Sequence, residues 1–314
     1  MLRLVVRRLL TTIPLLIVVS LGVFVLLQFV PGDPAFTIAG ETASLEQVER
    51  IREQLGLNEP LTGRYLSWLG DAVRGDLGTS LFSSQPVSEA VLDRLPATLS
   101  LTFVSLLVAL ILGITAGDIA AVRPGGLLDR TVTTLASIGL SVPNFWLGLL
   151  LVTAFARWVH WLPPTGYVAL TESPVDWIRS LILPAIALGS SASAAIARQT
   201  RSALVEVLQR DYITAALARG MSFKRVLLKH GQKNAAIPLL TVIGLQAVAL
   251  LGGSVVIEQV FAIQGIGSLA ITAVSRRDLS MIQGIVVLSA VVVVAVNLVI
   301  DLLYGWVNPK ARAR

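Results

Sequence analysis

The chain has 314 residues, of which 54% are hydrophobic and only 14% are charged, and its mean hydropathy is +0.78. This balance excludes an ordinary soluble domain and predicts a membrane protein. The net charge of +6 is typical of basic cytoplasmic loops, so we expect no nucleic-acid partner. The chain has no cysteine, and its only histidines are His160 and His230, which argues against a disulfide scaffold or a metal site.

Six stretches are long and apolar enough to cross a bilayer, which takes roughly 20 residues of helix. They are Leu9 to Val30, Thr98 to Ala121, Thr131 to Val159, Ile178 to Ala197, Ala235 to Ile257 and Met281 to Val307. The first follows a basic start, but its apolar run is about twice the length found in signal peptides, so we expect a retained helix. The predicted fold class is an all-α membrane protein with six transmembrane helices.

The segment between the first two spans, residues 31 to 96, is patterned as a folded extracytoplasmic subdomain. In SLEQVERIREQLGL, Ser44 and Gln47 form a possible capping box, and the helical repeat of apolar residues ends near Gly56. The stretch LTGRYLSWLGDAV predicts a second amphipathic helix, whose apolar face consists of Leu61, Tyr65, Trp68 and Leu69.

Prolines and small residues predict where the spans bend and where they touch. Pro143 and Pro184 lie inside apolar runs and should kink or break their helices. Gly113 and Gly117 have the spacing that permits close contact between helices, and the small residues at 189 to 195 do the same for the fourth span.

A polar segment, residues 198 to 234, separates the fourth and fifth spans. We expect RQTRSALVEVLQRDYITAALARG to run as one helix to Gly220, where glycine suits a helix end. A short second helix restarts after Ser222, with Phe223 on its apolar face and cations on the other. Two explanations remain open: an interfacial helix on anionic lipid, or a docking element whose apolar face fills a groove in a cytosolic protein.

The distribution of charge predicts that both termini are cytoplasmic. With that orientation, 16 of the 25 basic residues fall inside and 14 of the 19 acidic residues fall outside. Three acidic residues, Asp118, Glu258 and Asp301, lie close to the ends of spans, where their carboxylates can snorkel to water; a proton relay is the alternative. Gln246 and Asn297 lie in apolar surroundings and are candidates for a translocation pathway or for interhelical hydrogen bonds.

The stretch AALARG, with Ala215, Ala216 and Gly220, resembles the cytoplasmic loop of ABC importer permeases. In that family this loop forms the coupling helix that inserts into the ATPase subunit. Thr214 replaces the usual glutamate, and Pro238 lies 18 residues after the glycine, which resembles the peptide-importer branch.

Further strings resemble the first, B-type permease subunit of dipeptide and oligopeptide ABC importers over nearly the whole chain. They are FVPGDP, GDLGTS, SVPNFWLG, WLPPTGY, HGQKNAAIP, VIEQVFAIQGIG, and RDLSMIQG followed by NLVIDLLYGWVNP. Gln264 and Asn308 depart from the pattern, which has proline and aspartate at these positions.

The resemblance implies one permease domain of the type I kind, in a bacterial plasma membrane, importing di- or oligopeptides. It implies four partners besides membrane lipid: a homologous second permease, two cytoplasmic ATPase subunits and an extracytoplasmic solute-binding protein. The coupling residues would be Asp211, Ala215, Ala216, Gly220, Phe223 and Arg225. We expect Gln246, Glu258 and Asn297 in the pathway, and Tyr65 and Trp68 in contact with the binding protein.

The chain contains no phosphate-binding loop of the G-x-x-x-x-G-K-[ST] kind and no hydrolase or metalloprotease motif. We therefore expect no catalytic residue and no cofactor in this chain, with ATP and Mg²⁺ bound by the partner ATPases. Alternative functions are a proton-coupled peptide transporter that uses Asp118, Glu258 or Asp301, a receptor without transport, or an importer of nickel, haem or glutathione on the same scaffold.

Overall fold

The computed structural model describes residues 2–29, 33–40, 43–54, 56–159 and 161–307. Val30, His160 and Asn308, named above, lie outside the described residues, as do the C-terminal cations Lys310, Arg312 and Arg314. In the described ranges the chain is helical apart from its loops, and the β pairing there is one isolated bridge between Thr79 and Pro86.

The helices occur in the following order along the chain. They are α1 (Leu2–Gln28), α2 (Pro34–Ala39), α3 (Leu45–Gln54), α4 (Leu61–Val73), α5 (Val87–Val122), α6 (Leu127–Ser141), α7 (Asn144–Leu151), α8 (Pro174–Leu208), α9 (Asp211–Ala218), α10 (Phe223–Val226), α11 (Gln232–Val260), α12 (Ile266–Arg276) and α13 (Leu279–Val307). Two π-helical segments, Val152–Trp158 and Leu227–Gly231, follow α7 and α10 directly.

Among the described residues, five helices are long and apolar enough to span a membrane, and a bent pair raises the number to six. The bent pair is Leu127–Ser141 with Asn144–Phe155, and its two parts meet at 100°. Pro143 lies at this break, so the break predicted there is confirmed. The proline ring fixes φ, and proline has no backbone N–H to donate to the preceding turn, so the helix cannot continue through it. A break at Pro184 is wrong, because α8 continues through this residue to Leu208. A kink at Pro184 stays a prediction.

The chain divides into two compact units, which we call the bundle unit (Ala97–Gln264 with Ala295–Arg314) and the N-terminal unit (Leu2–Pro96 with Gly265–Val294). In the bundle unit, α8 lies at the centre and packs against α6, α7 and α11. Its core is built from large apolar side chains that are almost fully buried: Leu101, Leu181, Leu188, Ile196, Ile257 and Phe261.

Close helix contacts in the bundle unit depend on glycine, as the spacing of Gly113 and Gly117 predicts. A Cβ at Gly113 would lie 2.7 Å from the Ser193 carbonyl oxygen, and one at Gly117 would lie 2.7 Å from the Ala197 carbonyl oxygen. Gly189 approaches Ser105 in the same way, with 2.7 Å between a built Cβ and the carbonyl oxygen. The prediction of small-residue helix contacts is therefore confirmed for these glycines.

The N-terminal unit contains the two short helices that the loop pattern predicts. The Ser44 hydroxyl accepts a hydrogen bond from the Gln47 N–H, and the Gln47 side chain accepts one from the Ser44 N–H, which confirms the capping box at the start of α3. Gly56 has φ +64, in the left-handed region suited to a helix end. The second helix, α4, begins at Leu61 and ends at Val73, the bounds of the predicted amphipathic stretch.

One predicted helix is wrong in its extent. The helix after the fourth span ends at Leu208 instead of continuing to Gly220, and α9 begins again at Asp211 after a turn at Gln209 and Arg210. Arg210 has an extended backbone with ψ 143, so the chain changes direction there. The polar segment consequently contains two short helices, α9 and α10, that are both separate from α8.

Candidate functional site

The polar segment between α8 and α11 forms a compact helix–turn–helix unit. At the end of α9, the Gly220 N–H donates to the Leu217 carbonyl and the Met221 N–H donates to the Ala216 carbonyl, at 2.9 and 3.3 Å. This pair of bonds is a Schellman motif, and Gly220 occupies its left-handed position with φ +83. The glycine thus fixes the angle at which α10 leaves α9.

Two apolar side chains fix this unit to the rest of the bundle unit. Ile213 on α9 is 2% exposed and Val226 on α10 is fully buried. Gly231, one residue before α11, is also buried, and a Cβ there would lie 3.3 Å from Leu204 of α8. Both short helices therefore have a buried apolar side chain, and the π-helical segment Leu227–Gly231 that follows them contacts α8 and α11.

The opposite side of the same unit is exposed, and it is apolar as well as charged. Asp211, Ala215, Phe223 and Arg225 are exposed, and Ala216 is half-buried. Large exposed apolar side chains on this side are Tyr212, Leu217, Phe223 and Leu228. The structure therefore brings the predicted coupling residues together on one element, with Phe223 41% exposed at its surface. Exposed large apolar groups beside cations form a surface suited to a protein partner.

An ion pair that the sequence analysis did not predict lies in the bundle unit, between α6 and α8. Asp129, near the start of α6, accepts two hydrogen bonds from the Arg201 guanidinium of α8, and the Nη2 to Oδ2 distance is 2.6 Å. The Gly125 N–H and the Thr133 hydroxyl also donate to this carboxylate, which is 5% exposed. From the sequence, Arg201 was placed only in the polar segment. The one sequence signal for the pair is that Asp129 is the only acidic residue in α6.

A second polar contact joins the ends of two long helices. The Gln232 side chain, at the start of α11, donates to the Asp118 carboxylate near the end of α5 over 2.5 Å. Together with the Asp129–Arg201 pair, it fixes the ends of α5, α6, α8 and α11 nearest to the helix–turn–helix unit.

The three candidate pathway residues do not lie together. Glu258 is fully buried and accepts a 2.7 Å hydrogen bond from the Thr98 hydroxyl, so the expectation that its carboxylate snorkels to water is wrong. Gln246 is half-buried on α11. Asn297 is exposed and lines a cavity of about 580 Å³ between α11 and α13 with Asp301 and Tyr304. The role of these residues in translocation stays a prediction.

The two residues predicted to contact a binding protein lie on the inner side of α4. The Tyr65 side chain is 8% exposed, and its hydroxyl is 2.9 Å from the Ser20 hydroxyl of α1. Trp68 packs partly buried against the apolar cluster of the N-terminal unit. Tyr65 and Trp68 of the predicted apolar face are thus used for internal packing, whereas Leu61 of the same face is 51% exposed.

Two family strings, GDLGTS and RDLSMIQG, meet in the N-terminal unit. The Ser80 hydroxyl donates to the buried Asp278 carboxylate over 2.5 Å, and the Leu81 N–H donates to the other oxygen. The same oxygen accepts from the Met281 N–H, so Asp278 also caps α13. Nearby, Gly284 approaches Val87 so closely that a Cβ would lie 2.2 Å from the valine Cγ1.

Asp278→Ala is expected to lower the free energy of unfolding by about 2 kcal/mol, because it removes a helix cap and leaves the buried Ser80 hydroxyl without its acceptor. Asp93→Ala, on an exposed side chain of α5, is the matched control and should change stability by less than about 0.5 kcal/mol. Thermal unfolding of the purified variants measures both changes. Equal stabilities of the two variants would contradict a structural role for the hydrogen bonds of Asp278.

Two family models match the chain and together cover nearly all of it. Residues 109–313 match the binding-protein-dependent transport system inner membrane component, and residues 1–102 match the N-terminal model of the same membrane components.

Curated relatives match over the full length. The chain is 41% identical to a probable peptide ABC transporter permease of Sinorhizobium fredii and 42% identical to a putative peptide transport system permease of Brucella abortus, over 98% of each chain. It is 42% identical to the glutathione transport system permease protein GsiC of Escherichia coli, over 99% of both chains.

Solved structures give the same fold. A chain of the inward-facing MetNI methionine ABC transporter superposes with a TM-score of 0.56 at 22% identity, covering 69% of this chain and 96% of that one. At this identity the likeness establishes the fold, which is that of type I ABC importer permeases.

Proposed function

This chain belongs to the inner-membrane components of binding-protein-dependent transport systems, and from that membership we propose that it is one of two permease subunits of an ATP-driven peptide importer. The observation that carries the proposal is the 41–42% identity to peptide permeases along the whole chain. Identity of this extent covers the N-terminal unit as well as the bundle, so both parts of the permease are accounted for.

Peptides are the substrate class that the relatives support. The Sinorhizobium and Brucella permeases are named for peptide transport, and GsiC is named for glutathione, which is itself a tripeptide. A substrate with peptide bonds and charged termini is common to all three. Nickel and haem, the other cargoes considered for this scaffold, have no support among these relatives.

The helix–turn–helix unit is the docking element for cytoplasmic ATPase subunits. Its exposed Phe223, Leu217 and Tyr212 suit an apolar groove, and the neighbouring cations suit an acidic rim. This role requires α9 and α10 to face the cytoplasm, which agrees with the excess of basic residues assigned to that side. ATP and Mg²⁺ are bound by the partner subunits, and an extracytoplasmic binding protein delivers the peptide.

ATP-driven closure of the ATPases displaces the docking element, and the bundle switches between inward- and outward-facing states. Ile213 and Val226 hold α9 and α10 rigidly, so force is transmitted and not absorbed by a flexible loop. The Asp118–Gln232 and Asp129–Arg201 contacts carry that displacement to the long helices. The motion is of the hinge or shear type, in which packed elements move as solid bodies.

A proton-coupled transporter, the alternative from the sequence, is less well supported. Among its candidate carboxylates, Asp118 accepts a hydrogen bond from Gln232, and Glu258 accepts one from Thr98. These contacts explain both residues as structural links between helices. The family membership also favours energy from ATP in place of a proton gradient.

Co-purification is the direct test of the assembly. The full-length chain, extracted from its native membrane in mild detergent, is expected to bring down a second six-span permease and ATPase subunits, and the complex is expected to hydrolyse ATP. A chain that purifies without ATPases and whose peptide uptake collapses with the proton gradient would overturn the proposal.

Gly220→Val is expected to uncouple ATP hydrolysis from peptide uptake, lowering uptake at least about tenfold per ATP hydrolysed, because a β-branched residue cannot hold the left-handed turn that aims α10. Gly40→Val is the matched control: Gly40 has the same φ of +83, and a Cβ at either glycine meets nothing within 4 Å. With ψ 164, Gly40 lies in a backbone region that is essentially restricted to glycine, so valine is strained at this position too, but Gly40 lies in the N-terminal unit. Uptake and ATPase activity in proteoliposomes separate the two, and equal coupling in both variants would contradict the docking role.

A further inference from the structure

Residues 123 to 130, which we call the α5–α6 turn, expose two large apolar side chains between two cations. Leu127 is 79% exposed and Leu128 is 61% exposed. Arg123 precedes them, Arg130 follows them, and both arginines are exposed. Adjacent leucines that are open to this extent indicate a surface that an apolar partner covers, and none of the functions discussed so far uses it.

The turn is ordered although its leucines are not buried. The Gly125 N–H donates to the Asp129 carboxylate over 2.7 Å. The same carboxylate accepts a hydrogen bond from the Arg201 guanidinium of α8. The turn is therefore fixed to the bundle unit by polar contacts, and its leucines remain available to a partner.

The turn carries positive charge that it does not balance itself. Asp129 is the only acidic residue from position 119 to position 171, and its carboxylate is bound by Arg201. The charges of Arg123 and Arg130 are thus uncompensated within the turn. Because a guanidinium group binds phosphate through two parallel hydrogen bonds, these two side chains are suitable ligands for a phosphate group.

Two hydrogen bonds of α5 indicate where the bilayer lies. Near one end of the helix Thr98 donates to Glu258, and near the other end Asp118 accepts from Gln232. Between Thr98 and Asp118, α5 is continuous and has no charged residue, and these roughly 20 residues span about 30 Å. A hydrocarbon core is also about 30 Å thick, so the two contacts mark its two edges.

The α5–α6 turn lies just beyond the edge marked by Asp118. Arg123 follows Asp118 at a distance of about 7 Å along the helix direction. The headgroup layer on each side of a bilayer is about 5–8 Å thick, so Arg123 lies within that layer. Cations at headgroup level beside exposed leucines are typical of segments that contact lipid.

The docking element begins farther from the bilayer than the turn. Gly117 of α5 packs directly against Thr200 of α8, so Arg201 lies at the level of the same edge. From there α8 continues as helix to Leu208, about 10 Å beyond, before α9 begins. A phospholipid therefore matches the position of the turn better than a cytosolic protein does.

We propose that the α5–α6 turn is a binding site for an anionic phospholipid of the adjoining leaflet. The guanidinium groups of Arg123 and Arg130 bind the headgroup phosphate, and Leu127 and Leu128 contact the acyl chains. A phosphatidylcholine headgroup also carries an ammonium group, which the two cations repel, so the site selects phosphatidylglycerol. The site is separate from the docking element and requires neither ATP nor peptide.

Native mass spectrometry of the full-length chain, with the subunits that co-purify with it, tests the site. The complex in detergent is titrated with dioleoylphosphatidylglycerol or with dioleoylphosphatidylcholine, and the dissociation constant of the first bound lipid is measured. We expect phosphatidylglycerol to bind at least about tenfold more tightly, since each cation near an anionic headgroup contributes about fivefold. Equal affinities for the two lipids would overturn the proposal.

Charge variants assign the lipid to the turn. Arg123→Gln with Arg130→Gln is expected to weaken phosphatidylglycerol binding at least about tenfold and to change phosphatidylcholine binding less than about twofold. Arg123→Lys with Arg130→Lys keeps the charge and should retain most of the affinity, which separates loss of charge from loss of folding. Arg74→Gln with Arg276→Gln removes the same charge from two exposed cations of the N-terminal unit and is the matched control. It should leave binding of both lipids unchanged.

A second pair of substitutions tests the apolar half of the site. Leu127→Ser with Leu128→Ser is expected to weaken binding of both lipids by a similar factor, at least about fivefold, because it removes apolar contact and leaves the charges in place. Unchanged affinity for both lipids in this variant would contradict the contact between the leucines and the acyl chains.

Unchanged phosphatidylglycerol affinity in the double glutamine variant would refute the site. If that variant instead loses an ATPase subunit or the second permease and still binds the lipid, a protein covers the turn and the proposal is wrong. Because these measurements involve no transport and no ATP hydrolysis, failure of the lipid site would leave the proposed importer function intact. Conversely, a chain that fails the co-purification test can still bind the lipid here, so the two failures are distinguishable.

Discussion

Gly117→Ala is expected to lower the free energy of unfolding by about 2 kcal/mol, although alanine is the better helix former. A Cβ at this position would lie 2.5 Å from the Thr200 Cβ and 2.7 Å from the Ala197 carbonyl oxygen. Neither atom is the end of a flexible side chain, so α5 and α8 must separate to admit a methyl group. Separation loses packing along both helices, and overpacking of this kind costs about 1–3 kcal/mol.

Gly252→Ala is the matched control for this change. Gly252 lies inside α11, and a Cβ there meets nothing within 4 Å, so only the helix propensity changes. We expect this variant to be more stable by about 0.5–1 kcal/mol. The same chemical substitution therefore has opposite signs at the two sites. Thermal unfolding of the detergent-solubilised chain measures both, and a stabilising effect at Gly117 would contradict the close contact between α5 and α8.

The sequence predicted local structure well wherever a short motif determines it. The capping box of Ser44 and Gln47, the bounds of α4 and the left-handed Gly220 all depend on residues within a few positions of one another. The break at Pro143 is of the same kind, since proline alone cannot continue the hydrogen-bond ladder. The spans were also identifiable, because apolar length is sufficient to indicate them.

Errors arose where local sequence favours a helix and the surrounding structure does not. The stretch around Gln209 and Arg210 contains no proline or glycine, yet α8 ends at Leu208, and Ile213 in the next helix is buried. Pro184 has the opposite outcome: it lies in the buried middle of α8, where packing on all sides holds the helix together. In both cases tertiary contacts outweigh helix propensity, which differs by less than about 1 kcal/mol among most residues.

Partners distant in sequence could not be predicted from one chain. Glu258 and Thr98 are 160 residues apart, and Ser80 and Asp278 are 198 apart, so no periodicity connects them. A charge near a span end was expected to reach water, but Glu258 instead has a hydroxyl partner inside the bundle. In α4, Tyr65 and Trp68 pack inward as the predicted apolar face requires, whereas Leu61 is exposed, and the groups that cover Tyr65 and Trp68 could be identified only from the structure.

Two polar contacts of the bundle unit lie close to the docking element, a position that matters for the coupling of ATP hydrolysis to transport. Asp118 with Gln232 and Asp129 with Arg201 both lie where long helices adjoin the docking element. A small apolar cluster around Leu204 and Ala235 lies in the same region. Directional polar contacts, which hold only one geometry, are therefore expected to carry the transmitted motion in this region.

Arg201→Gln is expected to lower the free energy of unfolding by about 2–3 kcal/mol, because it leaves the Asp129 carboxylate buried without its counter-ion. We place the effect below the cost for a fully buried pair, since the Arg201 side chain is 33% exposed and partly screened. Arg198→Gln, an exposed cation three residues earlier on α8, is the matched control and should change stability by less than about 0.5 kcal/mol.

Asp129→Asn with Arg201→Gln completes a double-mutant cycle and distinguishes an ion pair from two independent contributions. If the charges depend on one another, the double variant should be no less stable than Arg201→Gln alone, since the unpaired carboxylate is gone. Peptide uptake driven by ATP hydrolysis should nevertheless remain low in the double variant. Two neutral amides do not reproduce the bidentate hydrogen bonds by which Arg201 of α8 binds Asp129 of α6. Additive stability losses would mean that the pair is incidental, and full uptake would exclude it from transmission. Loss of uptake with restored stability is the combination that identifies the pair as part of the coupling path.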